Sequence, residues 1–160
     1  DHFVSIADDT ELPRLWGMVM EEMRDRGIIH SGNSPIADIA EFAVTEHLPR
    51  AKLAPPNTPG YDVKQGRKRI QVKAARITGN RRSNLSPLRS DQFDELAVVL
   101  FDSHLAITEL MKTDRASALE CCTWSPHING HVPRISRIRK HPKTIQIHID
   151  PEWGSNSLGA

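Results

Sequence analysis

The chain has 160 residues, 38% of them hydrophobic and 26% charged, with a formal net charge of +1. This predicts a single soluble globular domain spanning 1–160, large enough for a sizeable core. It excludes a membrane span, which needs roughly 20 consecutive apolar residues, and a disulfide-stapled fold, because Cys121 and Cys122 are adjacent.

The helical part of the chain comes first, over residues 10–48. From Glu11 to Arg26, Leu12, Leu15, Trp16, Val19, Met20 and Met23 recur at helical spacing, and Gly27 suits the C-terminal stop. The tryptophan and the methionines are expected in the core. Ser34 is placed to cap a second helix and Pro35 to begin it. That helix runs to about Leu48 with an apolar face of Ile36, Ile39, Ala40, Ala43, Val44 and His47. On its wheel Glu41 falls at the flank of that face, while Asp38 points away, toward solvent. Pro49 to Pro59 carries four prolines and reads as a loop.

Strand patterns follow. A hairpin over 60–76 has a turn at Gln65-Gly66, with Tyr61 to Val63 opening one strand and Arg69 to Ala75 forming the next. Ile70, Val72 and Ala74 fall on one side, and Gln71, Lys73 and Ala75 on the other. Thr78 to Ser90 reads as a polar, basic loop. The apolar run Leu96 to Phe101 marks a central strand within 95–102, covered on both faces. Leu105 to Met111 predicts the next strand, Asp114 to Cys122 a short helix, and Ile145, Ile147 and Ile149 a final strand. The order implies an α/β domain whose mixed central β-sheet is flanked by helices.

The near-neutral net charge hides a partition. Residues 1–30 carry seven acids and three bases. Residues 64–90 carry nine bases and no acid, among them Arg67, Lys68, Arg76, Arg81, Arg82 and Arg89. Residues 128–149 carry five more bases without an acid. Basic stretches around an acidic site suit a polyanion whose phosphates need neutralising.

Residues two apart on a strand project to one face, about 7 Å apart. Gln71 and Lys73 therefore project together, and Asp62 on the partner strand can converge with them. Magnesium takes hard oxygen ligands and keeps several waters. Asp62 would supply the charged ligand, with the Gln71 amide oxygen and the Val72 carbonyl as neutral ones. Glu41, at the flank of the second helix, can reach the same sheet edge. Lys73 would orient water or offset charge developing at phosphorus.

The run Gly60-Tyr61-Asp62 followed by Gln71-Val72-Lys73 resembles the PD-(D/E)xK nuclease superfamily, which has the restriction-endonuclease-like fold. It is also similar to small bacterial proteins with Gly-Tyr-Asp, Gln-[Ile/Val]-Lys and a Phe-Asp-x-Leu strand, here Phe93-Asp94-Glu95-Leu96. The resemblance implies a Mg2+-dependent endonuclease, with Mn2+ able to substitute, acting on double-stranded DNA in restriction, phage defence or repair. By carry-over Asp62 is the metal carboxylate, Lys73 the catalytic lysine and Glu41 the helix carboxylate. Gln71 stands where the superfamily has an acid. A homodimer is the simplest way to cut both strands, with the first helix or the C-terminal segment as interface.

Two alternatives follow from the same residues. One is a non-catalytic DNA-binding protein that keeps the fold, with Asp62 and Lys73 locked in a salt bridge. The other is a metal-independent nuclease using histidines, for which His127 and His131 are the nearest pair. The adjacent cysteines read as small half-buried apolar residues rather than metal ligands with those histidines. No basic-then-apolar leader is seen, and because two adjacent cysteines make no disulfide framework a reducing cytoplasm is the default expectation.

Overall fold

The computed structural model describes residues 4, 6–30, 35–78 and 85–149. Helix α1 (Glu11–Asp25) and helix α2 (Ile36–His47) come first. Strands β1 (Ala51–Leu53), β2 (Val63–Gln65), β3 (Lys68–Arg76), β4 (Glu95–Phe101) and β5 (Ile107–Asp114) follow. Helix α3 (Arg115–Glu120), the hairpin β6 (Cys122–Ser125) and β7 (Gly130–Pro133), helix α4 (Ile135–Lys140) and strand β8 (Ile145–Gln146) complete the order. Ser34, the expected cap of α2, lies outside the described residues, as do Arg81 and Arg82.

Six strands form one mixed sheet in the order β1-β2-β3-β4-β5-β8, flanked by helices. Only β3 and β4 run parallel; every other neighbouring pair is antiparallel. All seven residues of β4 are buried, as its apolar run requires of a strand covered on both faces. The alternation of β3 and β4 divides the core in two. Ile70, Val72, Ala97, Val99 and Phe101 meet α2 through Ile39, Ala40 and Val44. Ala75, Leu96, Val98 and Leu100 meet Leu85, Leu88, Phe93, Ala118 and Ile138 on the opposite face.

The Phe-Asp-x-Leu segment fastens two strands together. Phe93 and Leu96 are fully buried. Asp94 takes a two-pronged bond from the Arg69 guanidinium and another from the Arg69 backbone N–H at 2.8 Å. This ties the start of β3 to the start of β4 and holds the Asp94 carboxyl down at about 2.

Several expectations need correcting. Within the proline-rich loop, Ala51–Leu53 pairs with β2 and becomes the sheet edge, because its three residues precede the first internal proline. The turn of the hairpin is Gly66-Arg67, with Gly66 at φ 62, since Gln65 pairs with Lys68. The strand expected from Leu105 starts at Ile107, because Leu105 adopts φ 65 in the turn before it. Asp114 caps α3 by accepting the Ser117 N–H rather than entering the helix. The expected last strand is only Ile145–Gln146; Ile145 is exposed, whereas Ile147 and Ile149 pack on the core. The β6–β7 hairpin was not expected.

The largest correction is α1. Only its C-terminal half reaches the body, through buried Met20 and partly buried Met23. Leu12, Trp16, Met18 and Val19 are exposed, so the tryptophan is not a core residue. Among the described residues no helix is long and apolar enough to cross a membrane.

Candidate active site

The site forms where β2 ends and β3 continues. Ladder pairing runs from Gln65↔Lys68 to Val63↔Ile70, and the Asp62 N–H adds one more bond to the Ile70 carbonyl at 2.9 Å. Beyond that point β3 runs on to Arg76 with β4 along one side. Its other edge faces Asp62 and α2. Asp62 turns its carboxylate onto that edge, where Oδ2 accepts the Val72 N–H at 2.7 Å and a short bond from the Gln71 amide Nε2. In a strand the N–H and C=O of one residue point the same way, so the Val72 carbonyl also faces this edge. Both bonds to Asp62 fall on Oδ2; among the described residues Oδ1 receives none.

Gly60 sets the approach of this segment. Its φ is 88, and a Cβ there would lie 2.8 Å from Gln92 Cβ and 2.9 Å from Ser90 Oγ. The backbone before Asp62 therefore lies directly against segment 90–92, next to Arg89.

Glu41, Asp62, Gln71, Lys73, Arg76 and Ser86 line one cleft of about 390 Å3. A second depression of about 720 Å3 lies on the other side of Glu41 and Asp62, walled by His30, Asp38, Tyr61 and the turn at 55–58. The two carboxylates thus stand between two openings. Asp38 is half-buried there, accepting the His30 N–H at 2.6 Å, rather than facing solvent. Position on a wheel ignored the chain that returns over the helix start.

Electrostatics bind the group together. Burial, then the charges of Asp62 and Asp38, push the Glu41 carboxyl up to about 8, against the pull of Lys73. Burial also raises Asp62, opposed by the Val72 N–H, Lys73 and the Gln71 amide. Burial lowers the Lys73 ammonium; Arg89 lowers it further, while Asp62 and Glu41 act the other way. No salt bridge joins Lys73 to Asp62 among the described residues.

Of the expected phosphate-binding residues, Arg76 lines the cleft and Arg89 lies close enough to act on Lys73. Arg67 and Lys68 sit at the hairpin turn, roughly 10–13 Å along the strand from Gln71. There Lys68 engages the buried Glu95 at 2.5 Å, a carboxylate it shares with Lys112 at 2.8 Å. Ser86 and Asp38 were missed in the sequence; neither carries a local signal, and only the fold brings them to the site.

Among the described residues the histidines do not assemble. His127 lies in the β6–β7 turn, and His131 packs edge-on against Trp124 at 5.0 Å between ring centroids. Cys121 is buried and Cys122 half-buried; burial pushes the Cys122 thiol up to about 11, and its Sγ donates to the Ala118 carbonyl. Among the described residues no three His, Cys, Asp or Glu side chains are grouped as a metal site.

A magnesium ion nevertheless fits the donor set. It is commonly held by one or two carboxylates with water filling the remaining positions. Here two half-buried carboxylates act on one another, both are raised, and among the described residues Asp62 Oδ1 receives no hydrogen bond. The Val72 carbonyl adds a hard neutral oxygen. Gln71 presents its nitrogen to Asp62 in this geometry, so it acts as a positioner of Asp62, and a half-turn of its amide would be needed to offer oxygen.

Compared with protein-family models and with curated proteins, the chain matches none.

Proposed function

We propose that this protein is a Mg2+-dependent endonuclease that hydrolyses phosphodiester bonds of double-stranded DNA, in restriction, phage defence or repair in the cytoplasm. The observation that carries the reading is the convergence of Glu41, Asp62 and Lys73 on the open edge of β3, with Arg76 and Ser86 lining the same cleft. Carboxylates and cations lining one cleft suit a phosphodiester with a divalent cation beside it. Glu41, Asp62 and the Val72 carbonyl would hold the ion. Bound there, it would polarise the phosphate and acidify a coordinated water.

The chain's own groups supply the rest. Gln71 and the Val72 N–H hold Asp62 through Oδ2. Lys73 is half-buried, and burial makes its ammonium release a proton more readily. It can therefore hold a water and pass a proton at Nζ. Arg76 and Arg89 bind neighbouring phosphates. That no salt bridge joins Asp62 and Lys73 among the described residues favours this over a non-catalytic DNA-binding protein that merely keeps the fold. Cutting both strands of a duplex would be served by a homodimer, and the exposed apolar half of α1 offers a surface for it.

The test is a plasmid-nicking assay with magnesium, with manganese, and with chelator. Relaxed or linear product that requires the cation supports the proposal. Plasmid binding without cleavage under every cation moves the reading to the non-catalytic alternative.

A further inference from the structure

We propose that the β6–β7 hairpin enters a groove of the bound duplex, with Trp124 and His131 as its principal contacts. The inference rests on the duplex-substrate reading above and names the element that reads the substrate beside the cleft.

The hairpin is joined to the cleft wall. The Leu88 N–H donates to the His131 carbonyl at 2.8 Å. Gly130 lies so near Pro87 that a Cβ on it would stand 3.2 Å from the proline ring. On the other side of the same short segment, Ser86 lines the cleft, and Arg89 is near enough to Lys73 to disfavour its charged form. Residues 86–89 therefore have the site on one side and the hairpin on the other.

Shape and rigidity suit the role. The two strands have four residues each, about 13 Å of ribbon. A two-stranded ribbon is one of the few protein shapes that the major groove, about 12 Å wide, admits. The connection is ordered by successive bonds from Ile128 N–H to the Ser125 carbonyl and from Asn129 N–H to the Pro126 carbonyl. Arg134 Nε braces the base of the hairpin by donating to Thr123 Oγ1 at 3.1 Å.

The surface has the matching chemistry. Val132 is buried and fixes one side of the ribbon, while the cross-strand pair Trp124↔His131 projects from the other. Trp124 is 51% exposed, and its ring meets the His131 edge within the chain. Ile128 is exposed at the tip. The hairpin itself carries no Lys or Arg, but Arg134 and Arg137 stand at its base, donating to Thr123 Oγ1 and the Cys122 carbonyl, so the positive charge beside the ribbon makes a polyanion the complementary occupant.

The experiment measures binding of the full chain to a labelled random-sequence duplex by anisotropy, in chelator so that nothing is cut. The Trp124→Ala/His131→Ala double variant should lose at least about five-fold in affinity, a change in the range of one good base contact. Trp124→Phe should restore most of that loss, and the Mg2+ titration and thermal midpoint should stay at wild-type values. Unchanged affinity in the double variant overturns the proposal. So does an altered oligomeric state with unaltered duplex binding, which would make the hairpin a contact between copies of the chain. Hairpin-dependent binding without cleavage in magnesium or manganese leaves this inference standing and defeats the catalytic reading. A wild type that binds no duplex defeats both.

Discussion

Replacing Glu41 by glutamine removes one of the two opposed carboxylates while keeping its shape. Glu41 titrates at about 8 against an ordinary 4.5. Between those values the unfolded chain has released a proton that the folded chain keeps. The folded state binds more protons, so stability falls as pH rises through this window, and the loss is complete above the folded value. The full span corresponds to about 5 kcal/mol at roughly 1.36 kcal/mol per pH unit. The cleft opens to solvent and screens part of it, leaving about 2 kcal/mol.

Glutamine has no proton to lose, so the variant lacks this decline. Urea unfolding in chelator should show wild-type stability falling by about 2 kcal/mol relative to Glu41→Gln between about pH 5 and pH 8.5. Magnesium should reverse the effect for the wild type only, because binding requires the ionised carboxylate and expels its proton. Calorimetry in two buffers of different ionisation enthalpy counts that proton. Parallel stability profiles for the two proteins, with no proton released by the wild type, would refute the placement of Glu41 beside Asp62.

Lys73→Ala should cut the nicking rate by about a hundred-fold or more while leaving duplex affinity and the unfolding midpoint nearly unchanged, since no Lys73 salt bridge is present among the described residues whose removal would unsettle the fold. Gly60→Ala should destabilise the protein by about 2 kcal/mol, combining a left-handed backbone with the clash at Gln92, and should weaken magnesium binding by displacing Asp62; urea unfolding and calorimetry read the two effects. Arg76→Ala/Arg89→Ala should weaken binding to all duplexes about equally and flatten the salt dependence by about 0.9 in log slope for each phosphate no longer neutralised. Equal slopes would separate both arginines from the phosphate backbone.

How far these residues could be read in advance depends on the range of the force that places them. The run Leu96 to Phe101 and the alternation from Arg69 to Ala75 report burial directly, and both appear as strands in the expected positions. The Asp62, Gln71 and Lys73 cluster was equally readable, because a hairpin fixes its own register. Trp16 misled because amphipathic spacing records that a helix has an apolar face, not what covers that face. The β6–β7 hairpin hid because Cys122, Trp124 and His131 do not alternate cleanly, and its pairing depends on Leu88 across the chain. Lys68 reads in the sequence only as one more base; its ion pair with the buried Glu95 depends on a residue far along the chain.

Gln71 is where sequence and structure together say most. The PD-(D/E)xK superfamily that the sequence resembles has an acid at the matching position, and an amide looks like a loss of ligand charge. In this fold the amide serves Asp62 instead. Its Nε2 donates to Asp62 Oδ2, beside the Val72 N–H, and so steadies the one carboxylate that the strand supplies. The second negative charge comes from α2, through Glu41. Gln71→Glu would therefore do two opposed things. Without metal it removes the donor and sets a third acid against Asp62 and Glu41, so one proton must stay bound within the group and stability at about pH 8 should fall by roughly 2 kcal/mol. With metal it adds a charged oxygen, so magnesium affinity should rise about ten-fold, and saturating magnesium should raise stability more in the variant than in the wild type. Urea unfolding with and without the cation, alongside calorimetric titration, measures both. A variant as stable as the wild type in chelator, with no gain in magnesium affinity, would mean that Gln71 neither holds Asp62 nor faces the ion.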